Sequence, residues 1–190
     1  MVLKIAISTL LLIILPIAGQ TGQPSIPKFP FAIVQDEIPV KFPMASGFMA
    51  KCKEGHQFLI VVAKEFRKGD KIPDTELQYE VTDAHGQTFK PIAFGFPSPG
   101  APGPFMASGL SFSKNIEIVD KDASILGLFF VVPKKAKFLS LRKATEKDSQ
   151  RLSVVKNYKS LEAMKVGGYK TYGEIKFGIP NIDVDGWGAK

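Results

Sequence analysis

The chain has 190 residues, 45% of them hydrophobic, with a formal net charge of +7 at neutral pH. This length and apolar fraction exclude a disordered polymer and fit one domain with a proper core. The lysines are scattered rather than grouped in a run, which argues against nucleic acid as a partner. A solvated basic surface is the plain interpretation, and it permits attraction to anionic polymers.

Residues 1–19 have the pattern of a secretory signal peptide. Lys4 supplies the positive start, an apolar stretch follows to Ile17, and Ala18 and Gly19 are small residues at the exit. A membrane-spanning helix needs about 20 apolar residues, and this stretch is shorter. The sequence predicts a secreted or periplasmic protein with no membrane span after cleavage. Ile17 occupies a position before the cleavage site where a small residue is usual. The alternative is therefore an uncleaved N-terminal anchor.

Cys52 is the only cysteine of the chain, so an internal disulfide is excluded. A secreted protein without disulfides must be stabilised by its core. His56 is the nearest histidine, and no third group in the sequence would orient it. We therefore interpret Cys52 as a small buried residue rather than a nucleophile.

The segment 20–45 contains five prolines. Proline removes a backbone donor and favours extended chain. The sequence predicts a proline-rich linker that becomes an edge strand around residues 38–42, where a proline is tolerated.

The segment 46–143 has the pattern of an antiparallel β-sandwich. Two continuous apolar runs, 58–63 and 125–133, are typical of strands buried on both faces. Between them, Leu77, Tyr79 and Val81 alternate with polar residues, which indicates a half-buried strand. Turn residues recur at a spacing of about ten residues, as in all-β sandwiches.

The stretch "VTDAHGQTFKP" places Asp83 two residues before His85. That spacing suits a carboxylate orienting a catalytic imidazole, but a general base also needs a nucleophile or water within reach. The same residues suit a hairpin, because Asp83 can accept from backbone amides and Gly86 can adopt positive φ. We interpret the stretch as a turn.

Residues 95–104 are rich in Gly and Pro and predict a loop that is neither helix nor strand. Phe96 within it and Phe105 at its end are candidate contact residues for lipid, glycan or protein. The alternative is that both rings fold back over an open end of the sandwich. Trp187 is a third candidate, either as an aromatic platform for a ligand or as a plug for the core.

Residues 144–190 form a C-terminal extension. Thr145 and Asp148 resemble a capping box, and the apolar residues that follow fit helical spacing in part. The sequence predicts one helix within 145–165 and strand-like alternation around residues 175–179.

The motif "NIDVDGWG" is a candidate calcium site. Asn181, Asp183, Asp185 and Gly186 occupy positions 1, 3, 5 and 6 of a calcium loop. The acid of position 12 is missing, and the apolar residues between the acids also suit a strand whose acids face outward. Both interpretations stay open.

Three segments between residues 55 and 142 carry a family resemblance: "GHQFLIVVAKEF", "LQYEVTDAHGQTFKP" and "DASILGLFFVVPKKAKFLSLR". In this order they resemble secreted bacterial domains of unknown function with an immunoglobulin-like sandwich, similar in fold to the mycobacterial immunoprotective extracellular antigen. The matching positions are Asp83, Gly86, Phe89, Pro91, Gly127, Phe129, Val132, Pro133, Leu139 and Leu141. The resemblance implies an extracytoplasmic domain and no catalytic residue. The chain departs from it in lacking a lipid-anchor cysteine and in its C-terminal extension.

The leading hypothesis is a non-enzymatic envelope module that binds a protein or an anionic polymer, or has a structural role, without a cofactor. It follows from the excess of lysine and arginine over acidic residues. It also follows because the sequence shows no nucleophile accompanied by a general base and by a third group that orients the base. The alternative is a small calcium-binding protein or metal-dependent hydrolase that uses the acidic motif at 181–185.

Overall fold

The computed structural model describes residues 28–40, 48–73, 76, 78–97, 105–109, 115–119, 124–155, 169–172 and 184–185. These residues form sixteen strands in three sheets, so the all-β prediction is confirmed. In chain order the strands are β1 (Phe31–Gln35), β2 (Glu37–Val40), β3 (Phe48–Cys52), β4 (His56–Phe66), β5 (Lys71–Ile72), β6 (Tyr79–Asp83), β7 (Thr88–Phe89), β8 (Ala93–Pro97), β9 (Phe105–Gly109), β10 (Asn115–Ile118), β11 (Ser124–Pro133), β12 (Phe138–Lys143), β13 (Ser149–Arg151), β14 (Ser153–Val155), β15 (Tyr169–Tyr172) and β16 (Val184–Asp185).

The largest sheet has nine strands in the order β14-β1-β4-β11-β8-β9-β2-β3-β16. Most neighbours are antiparallel, but β14 runs parallel to β1 and β2 runs parallel to β9. A second sheet has the order β15-β10-β5, and a third has the order β13-β12-β6-β7. Each of the two smaller sheets is antiparallel throughout.

The paired strands β4 and β11 form the centre of the largest sheet and are buried on both faces. In β4, Phe58, Ile60 and Val62 belong to one apolar cluster, while Leu59 and Val61 belong to a second cluster on the opposite face. Successive side chains of a strand point to opposite faces, so a continuous apolar run fills both layers. The two-sided burial that the apolar runs predict is confirmed.

The two faces of the large sheet are covered in different ways. On one face, Ile38 of β2 and Ala50 of β3 share a cluster with Phe31 of β1, so the sheet curls until its strands face each other. On the other face, Ile116 and Leu141 belong to the smaller sheets and complete the second cluster. Full burial of a large apolar side chain contributes about 1.5–3 kcal/mol, so these two clusters are the main source of stability.

Residues 31–40, predicted as linker and edge strand, lie inside the large sheet. β1 pairs with β4 on one side and β14 on the other, and β2 lies between β9 and β3. Pro39 is tolerated in this interior strand because pairing with β9 reaches only Val40.

The predicted helix is wrong for residues 149–155, which form β13 and β14. Their backbone groups pair with β12 and β1, partners that local helical spacing does not reveal. Residues 156–165 lie outside the described part of the chain. The loop predicted over 95–104 also begins later, because β8 continues to Pro97.

The hairpin turn after β6 agrees with the sequence interpretation. The Asp83 carboxylate accepts hydrogen bonds from the backbone amides of His85, at 2.8 Å, and Gln87, at 2.9 Å. Gly86 has a φ of +78°, and β7 then returns alongside β6. Asp83 is buried, whereas His85 is exposed. The pair therefore shapes a turn, with the carboxylate bound to backbone rather than to the imidazole.

We expect Gly86→Val to destabilise the fold by about 1–2 kcal/mol, because a side chain at positive φ is strained. His85→Ala, in the same turn, should change the unfolding free energy by less than about 0.5 kcal/mol. Urea unfolding of both variants measures the difference. A His85→Ala variant with the larger loss of stability would contradict this account of the turn.

Gly127 of β11 allows the Phe105 ring of β9 to lie against the central strand. A Cβ at this position would stand 2.7 Å from Cγ2 of Ile60 and 2.8 Å from Cδ1 of Phe105. Phe105 is completely buried and meets Phe129 edge to face, with 6.4 Å between ring centroids. Glycine is required here by close packing.

Gly127→Ala should therefore lower the unfolding free energy by about 1–3 kcal/mol through overpacking. Combining it with Phe105→Leu, which shortens the opposing side chain, should cost less than the sum of the single changes. Urea unfolding of the two single variants and the double variant gives the coupling. Strict additivity would show that the Phe105 ring is not the obstacle.

Candidate functional site

The two loop phenylalanines singled out as contact residues are core residues in the structure. Phe96 is 3% exposed and Phe105 is fully buried. Phe96 belongs to the cluster beneath the smaller sheets, and Phe105 belongs to the cluster on the opposite face. The contact prediction is corrected for these two residues, because both rings fill the interior. Trp187 lies outside the described residues.

The candidate calcium motif is described only at its centre. Val184 pairs with Cys52 and Asp185 pairs with Lys51, so β16 adds to the edge of the large sheet beside β3. Asn181 and Asp183 lie outside the described residues, and calcium binding therefore stays a prediction. Within the part of the chain that the structure describes, no three His, Cys, Asp or Glu side chains are grouped as metal ligands.

Cys52 is half-buried at the end of β3. Burial raises the pKa of its thiol to about 12, and the nearby Asp36 carboxylate acts in the same direction. The nucleophilic form of cysteine is the thiolate. The local environment therefore holds Cys52 as an unreactive thiol.

We expect iodoacetamide to alkylate native Cys52 at pH 8 more than about a hundredfold more slowly than it alkylates a free cysteine. The rate should rise steadily between pH 8 and pH 10 as the thiolate fraction grows. Mass spectrometry of timed samples measures the rate, and the chain unfolded in urea is the control. Equal rates for the native and unfolded chains would contradict the raised pKa.

One end of the molecule is formed by three turns, which we call the basic end. They are residues 53–55, between β3 and β4; residues 84–87, between β6 and β7; and residues 134–137, between β11 and β12. The amide of Lys134 donates to the Gly55 carbonyl at 2.8 Å, and the amide of Ala84 donates to the Lys137 carbonyl at 2.8 Å. Turn 134–137 is therefore bonded to both of the others.

The basic end carries four exposed lysines: Lys53, Lys134, Lys135 and Lys137. The exposed carboxylates beside them are Asp36, which pairs with Lys134 at 2.7 Å, and Glu54. These four ammonium groups outnumber the two exposed carboxylates. Among the described residues, no carboxylate forms an ion pair with Lys135 or Lys137. The arrangement can attract anionic groups.

A separate cavity, which we call the polar cleft, opens where the large sheet meets the four-stranded sheet. Its volume is about 340 Å³. Lys64 of β4 lies on one wall; Tyr79 of β6, Lys143 of β12 and Gln150 of β13 lie on the other. Glu76, which precedes β6, joins the lining between the two walls.

Glu76 connects the two walls of the polar cleft through its carboxylate. Lys143 Nζ donates to Glu76 Oε1 at 2.6 Å, and Lys64 Nζ donates to Glu76 Oε2 at 3.1 Å. The Lys143 hydrogen bond lowers the pKa of the Glu76 carboxyl, although burial opposes it, and the same bond raises the pKa of Lys143. Burial raises the pKa of the Tyr79 hydroxyl. At neutral pH Glu76 is therefore a carboxylate held between two ammonium groups, and the Tyr79 phenol beside it is neutral.

The sequence interpretation singled out neither the basic end nor the polar cleft. The local signal for the basic end is "KKAK" at 134–137, and this pattern predicts an ordinary polar turn. The cleft has no local signal, because Glu76 lies 12 residues from Lys64 and 67 residues from Lys143. Strand pairing brings these groups together.

No protein-family model, no curated protein and no solved structure matches this chain. The described residues also contain no helix with the length and hydrophobicity that crossing a membrane requires.

Proposed function

We propose that this chain is a non-enzymatic, secreted or periplasmic envelope module that binds an anionic polymer through its basic end. The observation that supports this proposal is the convergence of four lysines on two turns, 53–55 and 134–137, that are hydrogen-bonded to each other. Clustered ammonium groups raise the local concentration of an anionic partner and speed its association. The overall charge of +7 acts in the same direction.

The rigidity of the basic end also supports polymer binding. Turns 53–55 and 134–137 connect directly to the central strands, where His56 pairs with Pro133. Lysines on turns held by such strands keep a fixed spacing, which suits a partner whose charges repeat along a chain. A rigid site also loses less conformational entropy on binding.

We also propose that the four-stranded sheet and the central strands of the large sheet represent an immunoglobulin-like sandwich related to the secreted bacterial domains of the sequence resemblance. The pairing of β6 with β7 and β12, packed across an apolar cluster from β4 and β11, supports this relationship. The signal-like pattern of residues 1–19 supports an extracytoplasmic location. In that location the accessible anionic polymers are those of the cell envelope.

Binding to long-chain inorganic polyphosphate tests the proposal with the full chain. We expect binding at low salt that weakens as salt rises, because exposed charges are screened. Replacing Lys135 and Lys137 together with glutamine should weaken binding about fivefold to tenfold, if each contact contributes about 0.5–0.7 kcal/mol. Fluorescence anisotropy of a labelled polyphosphate measures the affinity.

The matched control replaces Lys68 and Lys71 with glutamine. Both are exposed and lie beyond the opposite end of β4, on the order of 30 Å away along the strand. This control removes the same charge, so it should leave binding close to that of the unchanged chain. Equal losses in the two double variants would show that overall charge, and not the basic end, attracts the polymer.

A further inference from the structure

We propose that the polar cleft is a second binding site, and that its ligand is a neutral, polyhydroxylated molecule of the saccharide class. The site is separate from the basic end and does not depend on the proposed function. It draws its side chains from both the large sheet and the four-stranded sheet. Clefts between packed layers are a common place for small-molecule sites.

The charges that line the polar cleft disfavour a charged ligand. Lys64 and Lys143 supply two positive charges, whereas Glu76, Glu146 and Asp148 supply three negative charges. An anion would be repelled by the three carboxylates while both lysines are already paired with Glu76, and a cation would be repelled by the two ammonium groups while Glu76 is already paired with both. A zwitterion would have to compete with Glu76, which already pairs with both lysines. A neutral ligand avoids each of these costs.

The hydrogen-bonding capacity of the lining matches hydroxyl groups. Each lysine ammonium has three N–H donors, and Glu76 accepts a bond from each of them. Donors therefore remain on both lysines, while Asp148 offers acceptors and Gln150 offers both kinds of group. A hydroxyl donates and accepts at once, so a molecule with several neighbouring hydroxyls can satisfy this mixture.

Most of the accessible lining is polar, and only a small part of it is apolar. Tyr79 contributes an aromatic ring that ends in a neutral hydroxyl. An aromatic residue with an apolar body and a polar tip can pack against C–H groups and hydrogen-bond to a hydroxyl. The volume of about 340 Å³ admits a short saccharide.

Titration calorimetry with the full chain tests the inference. The neutral probes are maltotriose, cellotriose and the trimer of N-acetylglucosamine; a sugar phosphate and a dipeptide are the charged and zwitterionic comparisons. We expect at least one neutral probe to bind with a dissociation constant at or below the millimolar range, and more tightly than either comparison. Binding by the dipeptide or the sugar phosphate alone, or no binding by any neutral trisaccharide, would overturn the proposal.

Two variants locate the binding. Gln150→Ala removes an exposed amide of the lining, and Tyr79→Phe removes only a hydroxyl, so both should remain folded. Each should weaken the best neutral probe about tenfold, the effect of losing one hydrogen bond of about 1.4 kcal/mol. Gln87→Ala, on the turn at the basic end, is the matched control and should have no effect.

Equal weakening by Gln150→Ala and Gln87→Ala would place the saccharide elsewhere and refute the cleft as its site. Polyphosphate binding measured on Gln150→Ala separates the two proposals, because the polar cleft contributes nothing to the basic end. Loss of saccharide binding with unchanged polyphosphate binding is the expected result. A variant that lost both together would refute the independence of the two sites.

Discussion

The antiparallel pairing of β4 with β11 is the interaction on which the rest of the structure depends. It extends from the pair Ser124–Phe66 to the pair Pro133–His56, with one irregularity near Gly127. Both strands are buried on both faces, so every other layer packs against a surface that these two strands provide. A change that disturbed this pair would expose both apolar clusters. Phe105 packs so closely on Gly127 of β11 that even a methyl group at residue 127 would disturb the contact.

The same pair determines where the two candidate sites lie. The turns that flank β4 and β11 at one end hold the lysines of the basic end, because His56 and Pro133 are opposite each other. Further along β4, Lys64 reaches the four-stranded sheet and meets Glu76. Neither site interrupts the core. The charged side chains of the two sites lie on turns and at the junction between sheets, where their heads keep contact with water.

The differences between expectation and structure have a common physical origin in long-range strand pairing. Residues 31–35 follow several prolines, and the sequence therefore predicts a linker there. In the structure they form a strand beside β4, and their apolar side chains join the two apolar clusters. Residues 149–155 show partial helical spacing, yet free strand edges at β12 and β1 satisfy their backbone groups. Phe96 and Phe105 belong to a Gly/Pro-rich stretch that left both contact with a partner and folding back onto the sandwich open, and the pairing of β8 with β9 carries both rings into the interior.

What the sequence alone determined are the features that depend on neighbouring residues. The two apolar runs specify strands with two buried faces, and Asp83 with Gly86 specifies a hairpin, since a period of two and a positive φ are local properties. Only the tertiary structure decided how the large sheet curls, which strands border β1, and that Lys64 and Lys143 meet on Glu76. Those outcomes depend on contacts between residues far apart in the chain, and no local pattern records the register that brings them together.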